Sequence, residues 1–597
     1  MGSVQTNRVA QSVCEETSPG TASTTGYQLL PNSIGAFGGT TRTVSRSPIS
    51  PNRQREAGTI VDRDSAVTLE MDATMDHIER FIEGAVNRSL TGPKRLAVSA
   101  IVAGGVTVAS DGDFVLGTLV RLRGLQNAGN NGLFKVQTGS DATNIVLGIK
   151  ATLDLGGVGS GDLDTIVRAK SPGTAGNSIT VAAVGDSGGG VTITEVGNAV
   201  TIHYESGVSD VAAVESAIGS QSSLIEVATA GTGATVLTAP GDNFSATNLA
   251  GGLGVALTAE VPAATRDACV EECGFEFTTG DLEVNSDGNL ITTTKNLTQL
   301  PIVAGQRVHV GDEGSAYQFA TLANHGFARI VSVAANLMVL DRTFSSFTTD
   351  DGSGKTVRLF YGRKTHVAPT TDGSAVDKTY QVELKYPTLG SGNTARYEYA
   401  KGNVIDEMTI VIPQTDKATM TVSMVGTQTA DITDTQQTFG STAKQQNKRI
   451  ALNTTSDIGR LQVFTSDETG LTTYMKSATL RIRNNVVANK AIGVLGAIEI
   501  TKGNCEVDVD WQGYFTNEDV VNAANNNDPV GMVLTMRNGD GAVVFDVPEG
   551  RLGQTSRDFP LNELVQVNST TAANRDDTYN SSLVVSLFPY CPPVRTA

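Results

Sequence analysis

Residues 58 to 73, GTIVDRDSAVTLEMDA, place Val61, Val67, Leu69 and Met71 on one face and Asp62, Asp64, Thr68, Glu70 and Asp72 on the other. That period of two is the mark of a half-buried strand. The next segment, TMDHIERFIEGAV, changes period at once: Met75, Ile78, Ile82 and Ala85 fall at helical spacing, with Asp72 or Thr74 available as N-cap. The same succession returns near the other end of the chain. There VDVDWQGYF carries Val507, Val509, Trp511, Gly513 and Phe515 on one side, and Thr516 to Asp519 offers a start resembling a capping box for a helix through Val520, Val521, Ala523 and Ala524. Each helix must cover a sheet, and further strand patterns (GMVLTMRN, AVVFDV, LVQVNS, SLVVSLF) follow the second.

The size of the chain requires its core to be divided, because 597 residues exceed what one domain usually needs. Sixty-four glycines, abundant Thr, Val and Ala, and a single tryptophan point to an all-β architecture. The texture predicts one domain in two pieces, residues 1–92 and 367–597, with the rest inserted through a surface loop, an arrangement that costs little loop-closure entropy. The insert divides into β modules at 93–159 and 257–366 and a β-hairpin-plus-helix module at 160–256. In that module, Val211, Val214 and Ile218 form one helical stripe. Residues 117 to 136 and 305 to 333 both run strand, polar loop, Asn-x-Gly, strand, which suggests a duplicated unit resembling a small barrel. In the C-terminal piece, Ile405, Met408, Ile410 and Ile412 alternate only after a one-residue slip, the signature of a bulge.

The charge and the cysteines limit the chemistry. A formal charge of −18 argues against a groove that grips phosphates, which needs a clustered basic footprint. Cys14, Cys269, Cys273, Cys505 and Cys591 are scattered and odd in number, so a disulfide framework is not expected. No stretch of ~20 apolar residues or apolar leader is present, which predicts no membrane insertion and a chain kept in the cytosol until release. His77, His203, His309, His325 and His366 share no metal-ligand spacing, Cys269 and Cys273 lack a second pair, and Asp508 and Asp510 read as the solvent face of a strand. The Gly-rich DSGGG stretch lacks the Lys-Ser/Thr of a phosphate loop. No residue stands out as catalytic, no cofactor or metal is expected, and the reading is non-enzymatic. The segment GGTTRTVSRSPISPNRQREAG is too long and polar for a tight turn and carries Arg42, Arg46, Arg53 and Arg55. It reads as a projecting arm whose arginines meet acids on neighbouring subunits.

The order of these blocks resembles a known family. REAGTIVDRDSAVTLEMDATMDHIERFIEGAV, then KTYQVELKY, GNVIDEMTIVI, ATMTVSMVG, MKSATLRIRNNV, IEITKGNCEVDVDWQGYFTNEDVVNAA and NSSLVVSLFPY are similar to the tail tube (major tail) proteins of siphophages, the bacteriophages with long flexible tails. The resemblance implies a mainly β fold: a β-sandwich or barrel-like tube domain with flanking short helices, split by inserted small β domains. It implies a structural subunit that forms a homo-oligomer of six-fold rings stacked into a hollow conduit for genome ejection. The arm at Arg42, Arg46, Arg53 and Arg55 would make inter-ring or inter-subunit contacts. Tape measure, tail terminator and distal tail proteins would be its partners in the virion, after assembly in the host bacterial cytoplasm. DNA would pass through the lumen without specific binding, and the inserted modules, projecting outside, could touch host-surface glycans. The rival readings are another virion structural protein (distal tail, sheath or adhesin) and a carbohydrate-binding or carbohydrate-degrading protein.

Overall fold

The computed structural model describes residues 5–46, 57–155, 163–341, 347–367, 375–389, 392, 394–429, 432–454, 456–464, 475–516, 518–553 and 555–592. The chain forms two compact units. One comprises Met1–Pro93, Ala264–Asp267 and Glu276–Ala597, the other Lys94–Ala263 and Ala268–Phe275. Strands dominate and helices are few and short.

In the first unit the principal strands are β1 (Pro31–Ser45), β2 (Gly58–Asp72), β3 (Arg396–Ile412), β4 (Thr419–Gly426), β5 (Met475–Arg483), β6 (Glu506–Tyr514), β7 (Pro529–Asn538), β8 (Gly541–Leu552), β9 (Ser556–Asp558), β10 (Gln566–Asn574) and β11 (Val584–Phe588). The helices are α1 (Met75–Val86) and α2 (Asp519–Asn526). Antiparallel pairing runs β1-β2-β4-β3-β5-β6-β10-β9, an eight-stranded sheet in which the two ends of the chain interleave. The expected bulge lies between Ile405 and Glu407 of β3. It lets Met408, Ile410 and Ile412 regain the buried face after the slip.

A second layer is built from Ile458–Phe464, β7, β8 and β11. β8 bends so that its last residues, Glu549 to Leu552, pair with β10 of the first sheet and join the layers into a sandwich. The core lies between them: Val67, Leu69, Met71, Met420, Val422, Leu480, Ile482, Val509 and Trp511 from one side meet Met532, Leu534, Met536, Val543, Phe545 and Val547 from the other. β7 and β8 are buried along nearly their whole length. Their outward residues Val533, Ala542 and Val544 form a second small cluster with Phe588 and Cys591, against which Phe327 packs. A strand covered on both faces reads as a continuous apolar run, which explains GMVLTM and AVVF.

Helix α1 begins where the sequence predicts. Thr74 is its N-cap, with its hydroxyl accepting from the His77 N–H at 3.2 Å, and Ile78, Phe81, Ile82 and Ala85 are buried. Asn87 ends it in the left-handed region at φ 56°. The predicted capping box of α2 does not form. This helix starts at Asp519 with Glu518 as N-cap and no side-chain cap bond, so Thr516 lies too far upstream to reach the first turn. Val61 shares the parity of Val67 but is exposed, because burial along β2 begins only at Ser65.

Two segments share one pairing scheme. In the second unit, Arg95–Val102 pairs with Gly105–Val108, which pairs with Asn144–Val146, and Thr118–Arg123 pairs with both Gly132–Lys135 and Cys269–Glu276. In the first unit, Leu282–Val284, Leu290–Thr292, Leu337–Leu340, Arg307–Val310, Gly326–Val333 and Arg358–Tyr361 repeat those partnerships in the same order. Each copy has one buried asparagine ahead of its Asn-x-Gly strand. Asn130 donates to the Thr258 carbonyl at 2.7 Å and accepts from the Thr258 N–H at 2.9 Å; Asn324 does the same with Thr348 at 2.7 and 2.8 Å. Between Val146 and Cys269 the first copy carries the hairpin-plus-helix module. Its strands Thr180–Asp186 and Ala199–Glu205 run parallel, and helix Val211–Gln221 buries Val211, Val214 and Ile218.

Candidate assembly surface

One face of the eight-stranded sheet is spent on the core, so its opposite face and its two edges are what the first unit has left to offer. The period of two fixes what they carry. The sheet's solvent face presents Glu70, Asp72, Glu407, Glu506, Asp508 and Asp510 against Arg481 and Arg483, with Thr68, Thr409, Thr419, Thr421, Thr479 and Thr570 between them. Arg481 pairs with Asp510 and Arg483 with Asp508 across β5 and β6, and the Thr570 hydroxyl donates to Asp510 at 2.5 Å. Asp508 and Asp510 therefore occupy the solvent face expected of them, as rungs of a charge ladder. Asp72 is held below the ordinary carboxylate range: partial burial opposes ionisation, but donation from Asn32 at 2.5 Å and from Lys417 at 3.0 Å outweighs it. Carboxylates outnumber guanidiniums on this face three to one.

Both sheet edges are open. Among the described residues β1 pairs only with β2, and β9 only with β10. β1 and β2 continue past the core as a two-stranded ribbon that stays paired as far as Ser45 and Gly58. Arg42 lies on it opposite Asp62, and Arg46 is exposed just beyond it; Arg53 and Arg55 lie outside the described residues. Lys490, from the hairpin Val487–Lys490 and Ala497–Thr501, pairs with both Asp62 and Asp64. This lysine, with a smaller contribution from Arg42, holds the Asp62 carboxyl below its usual value. Open edges are templates for another chain; of the two, β1 offers fifteen residues and β9 only three.

Behind β8, a charged cluster that sequence reasoning missed fixes residues 276 to 366 to the sandwich. Asp546 is 1% exposed and accepts from Arg307 Nε at 2.9 Å and Arg329 Nη1 at 3.2 Å. Arg329 also donates to Asp341 at 2.6 Å and lies 4.5 Å over the Tyr579 ring, and the Tyr579 hydroxyl donates to Asp341 at 3.0 Å. The only sequence signal was an aspartate interrupting the run AVVFDV. The exposed apolar loop after β9, with Phe559 and Leu561, also went unread, and Leu564, read as the start of the strand LVQVNS, lies exposed ahead of β10, which begins at Gln566. Cys269 and Cys273 are buried in their strand, and Cys273 Sγ donates to the Leu119 carbonyl at 3.4 Å. Among the described residues no group of three or more His, Cys, Asp or Glu could hold a metal, and no helix is long and apolar enough to cross a membrane.

A mainly β sandwich whose distinctive surfaces are open sheet edges and a polar face defines a structural subunit made for assembly. The family model described as phage tail tube protein matches residues 279–579, just over half of the chain, and the chain belongs to that family. It is thus a structural component of the phage tail, a multisubunit tube. No curated protein matches the chain.

Proposed function

We propose that this chain is the repeating subunit of the tail tube of a long, flexible-tailed phage, assembling as six-fold rings that stack into a hollow conduit for genome ejection. The observation that carries the reading is the eight-stranded sheet, packed on one face, acid-rich on the other and open at both ends. Copies join laterally when β9 of one subunit lies beside β1 of the next. Every neighbouring pair in the sheet is antiparallel and the strand number is even, so this junction is itself antiparallel and the alternation continues without a break around the ring. Closure of this kind removes the edges.

The face bearing Glu70, Asp72, Glu407, Asp508 and Asp510 lines the lumen in this reading, where its excess of carboxylates repels phosphates and lets DNA slide. The ribbon with Arg42 and Arg46, and with Arg53 and Arg55 beyond it, contacts the adjoining ring. The inserted modules face the outside of the tail, and the tape measure, tail terminator and distal tail proteins meet the tube within and at its ends. Negative-stain microscopy of the purified chain tests this: uniform tubes with an axial channel are expected, and discrete trimers without a channel would overturn it.

A further inference from the structure

The pairings inside one subunit limit the register at which a second copy can join its edge. Asp72, Thr419, Val411, Thr479, Asp510 and Thr570 lie abreast across β2, β4, β3, β5, β6 and β10. β9 lies above this level, toward the end where β2 gives way to α1, with Ser556 opposite Asn568 and Asp558 opposite Gln566. β1 starts below it, with Pro31 opposite Met71. Copies joined without stagger would therefore set β9 against Gly26–Gln28 of the neighbour. That segment is closed on both sides: Tyr27–Leu29 pairs with Gln11–Val13, the Gln28 N–H donates to the Lys444 carbonyl at 2.9 Å, and the Lys444 N–H donates to the Gly26 carbonyl at 2.8 Å. The junction must be staggered, which closure of a barrel requires in any case.

The size of the stagger is limited in three ways. Ser556 and Asp558 share the solvent face with Asn568 and Asp510, and Ser33, Gly38 and Thr40 share it with Glu70, Ala66 and Asp64, so only an even displacement keeps the faces matched. The register of β1 breaks between Pro31 and Ser33, Ile34 and Phe37, and Arg42 and Thr43, which leaves Phe37–Arg42 and Thr43–Ser45 as the unbroken runs that can seat three residues. Pairing at Thr43–Ser45 would tilt the strands by about 55°, beyond the range of about 35–45° in closed barrels.

We propose that β9 of one copy pairs with Gly38–Thr40 of a second copy of this chain, Asp558 opposite Gly38, Arg557 opposite Gly39 and Ser556 opposite Thr40. The inference rests on the tube reading and supplies the register of its lateral junction. Measured along β2, Ser556 moves from the level of Thr74 to that of Asp64, a stagger of ten residues. That is about 34 Å along the strands for about 38 Å of sheet width, so the strands tilt about 40° from the tube axis. Phe559, 74% exposed, comes abreast of the half-buried Phe37 on the core-side face, and Leu561, 89% exposed, follows it toward Ile34. A stagger two residues longer would set Phe559 beside Gly39, with no side chain to meet. Two different edges of one chain make a head-to-tail contact, the kind that generates rings and filaments.

The test is a set of cysteine pairs in the full-length protein, oxidised with copper phenanthroline under assembly conditions. Directly opposed residues of antiparallel strands have Cα atoms about 4.5–5.5 Å apart, within reach of a disulfide, whereas diagonal neighbours at about 7–8 Å are beyond it. Thr40→Cys with Ser556→Cys is expected to give a ladder of multimers on a non-reducing gel. Thr40→Cys with Asp558→Cys and Ser33→Cys with Asp558→Cys, which report a stagger two residues longer and four shorter, are expected to stay monomeric. Cys14, Cys269, Cys273 and Cys591 are buried and Cys505 is half-buried, so each single variant serves as the background control. From tubes verified by microscopy, a ladder from either comparison pair without one from the first, or no ladder at all, would overturn the register. A wild-type chain that never forms tubes overturns the tube reading instead; the register is then judged by the same three pairs in concentrated soluble protein. Phe559→Asp is the second arm. Its expected effect is a rise of about tenfold or more in the concentration needed for assembly, with unchanged thermal unfolding, because a side chain this exposed contributes little to the monomer's fold. Unchanged assembly would count against the register.

Discussion

Replacing Asp546 with asparagine preserves shape but leaves the buried guanidinium of Arg307 without the carboxylate 2.9 Å from its Nε. Arg329 keeps Asp341, at 2.6 Å, so the loss is less than that of the whole cluster. Removing one partner of a buried pair costs about 3–5 kcal/mol, and the retained Asp341 puts the expectation near the lower figure, about 3 kcal/mol. With a urea dependence of about 3 kcal/mol per molar for a unit of this size, the transition that reports on the first unit should fall by about 1 M. Fluorescence of the single tryptophan, Trp511, buried in the sandwich core, and protease susceptibility of residues 276 to 366 are the readouts, because they track the elements the cluster joins. A paired replacement, Asp546→Leu with Arg307→Met, removes both charges and should recover most of the loss, since apolar substitutes for a buried ion pair are often neutral. A midpoint shift below about 0.2 M for Asp546→Asn, on the same scale, would refute the reasoning. So would a double variant as unstable as the single, because the cost would then be lost packing and not an orphaned charge.

The same geometry sets other outcomes. Thr74→Ala removes the N-cap of α1 and should cost about 1 kcal/mol, read by chemical denaturation. Asn130→Ala and Asn324→Ala each remove a buried asparagine that bridges both main-chain groups of an exposed Thr, a loss of about 1 kcal/mol, and limited proteolysis should show the first loosening only the second unit and the second only the first unit. The Lys490 clamp should depend on pH. The folded-state pKa of Asp62 lies below its unfolded value, so its contribution is present above the ordinary aspartate value of ~3.9 and fades as pH falls through the lower folded value; the raised pKa of Lys490 sets the opposite limit, with loss as pH climbs past ~10.4 into the folded value. Protection factors for hydrogen exchange across residues 487–501, which correct for the intrinsic rate at each pH, should therefore fall at pH 3 and at high salt relative to pH 7, and equal protection under all three conditions would contradict the clamp.

Local periodicity made much of this fold readable. The strand of Val67, Leu69 and Met71, the helix after Thr74, the bulge before Met408 and the alternation through Trp511 each arise from a run of neighbours whose pattern a sheet or helix must satisfy. The two Asn-x-Gly segments were legible for the same reason, since each needs its asparagine to tie down a loop. Reasoning failed where the cause was distant. Asp546 finds its arginines 239 and 217 residues away, and no local pattern encodes such a pairing. Val61 matched the parity of a buried face, but parity says nothing of where the core stops along a fifteen-residue strand. The α2 start failed because a box spacing is present whether or not the helix begins there. The exposed Phe559 and Leu561 went unread because nothing local marks an apolar residue in a polar loop as exposed, and Leu564 was counted into a strand that begins two residues later.

A helical reconstruction of assembled tubes by electron cryomicroscopy, at a resolution that separates strands, would test the central claim most directly. The expected map has β9 of one subunit antiparallel to β1 of its neighbour, with Asp508 and Asp510 pointing into an axial pore. A map in which those two edges lie apart, or in which the pore is lined by residues from the other side of the sandwich, would contradict the account.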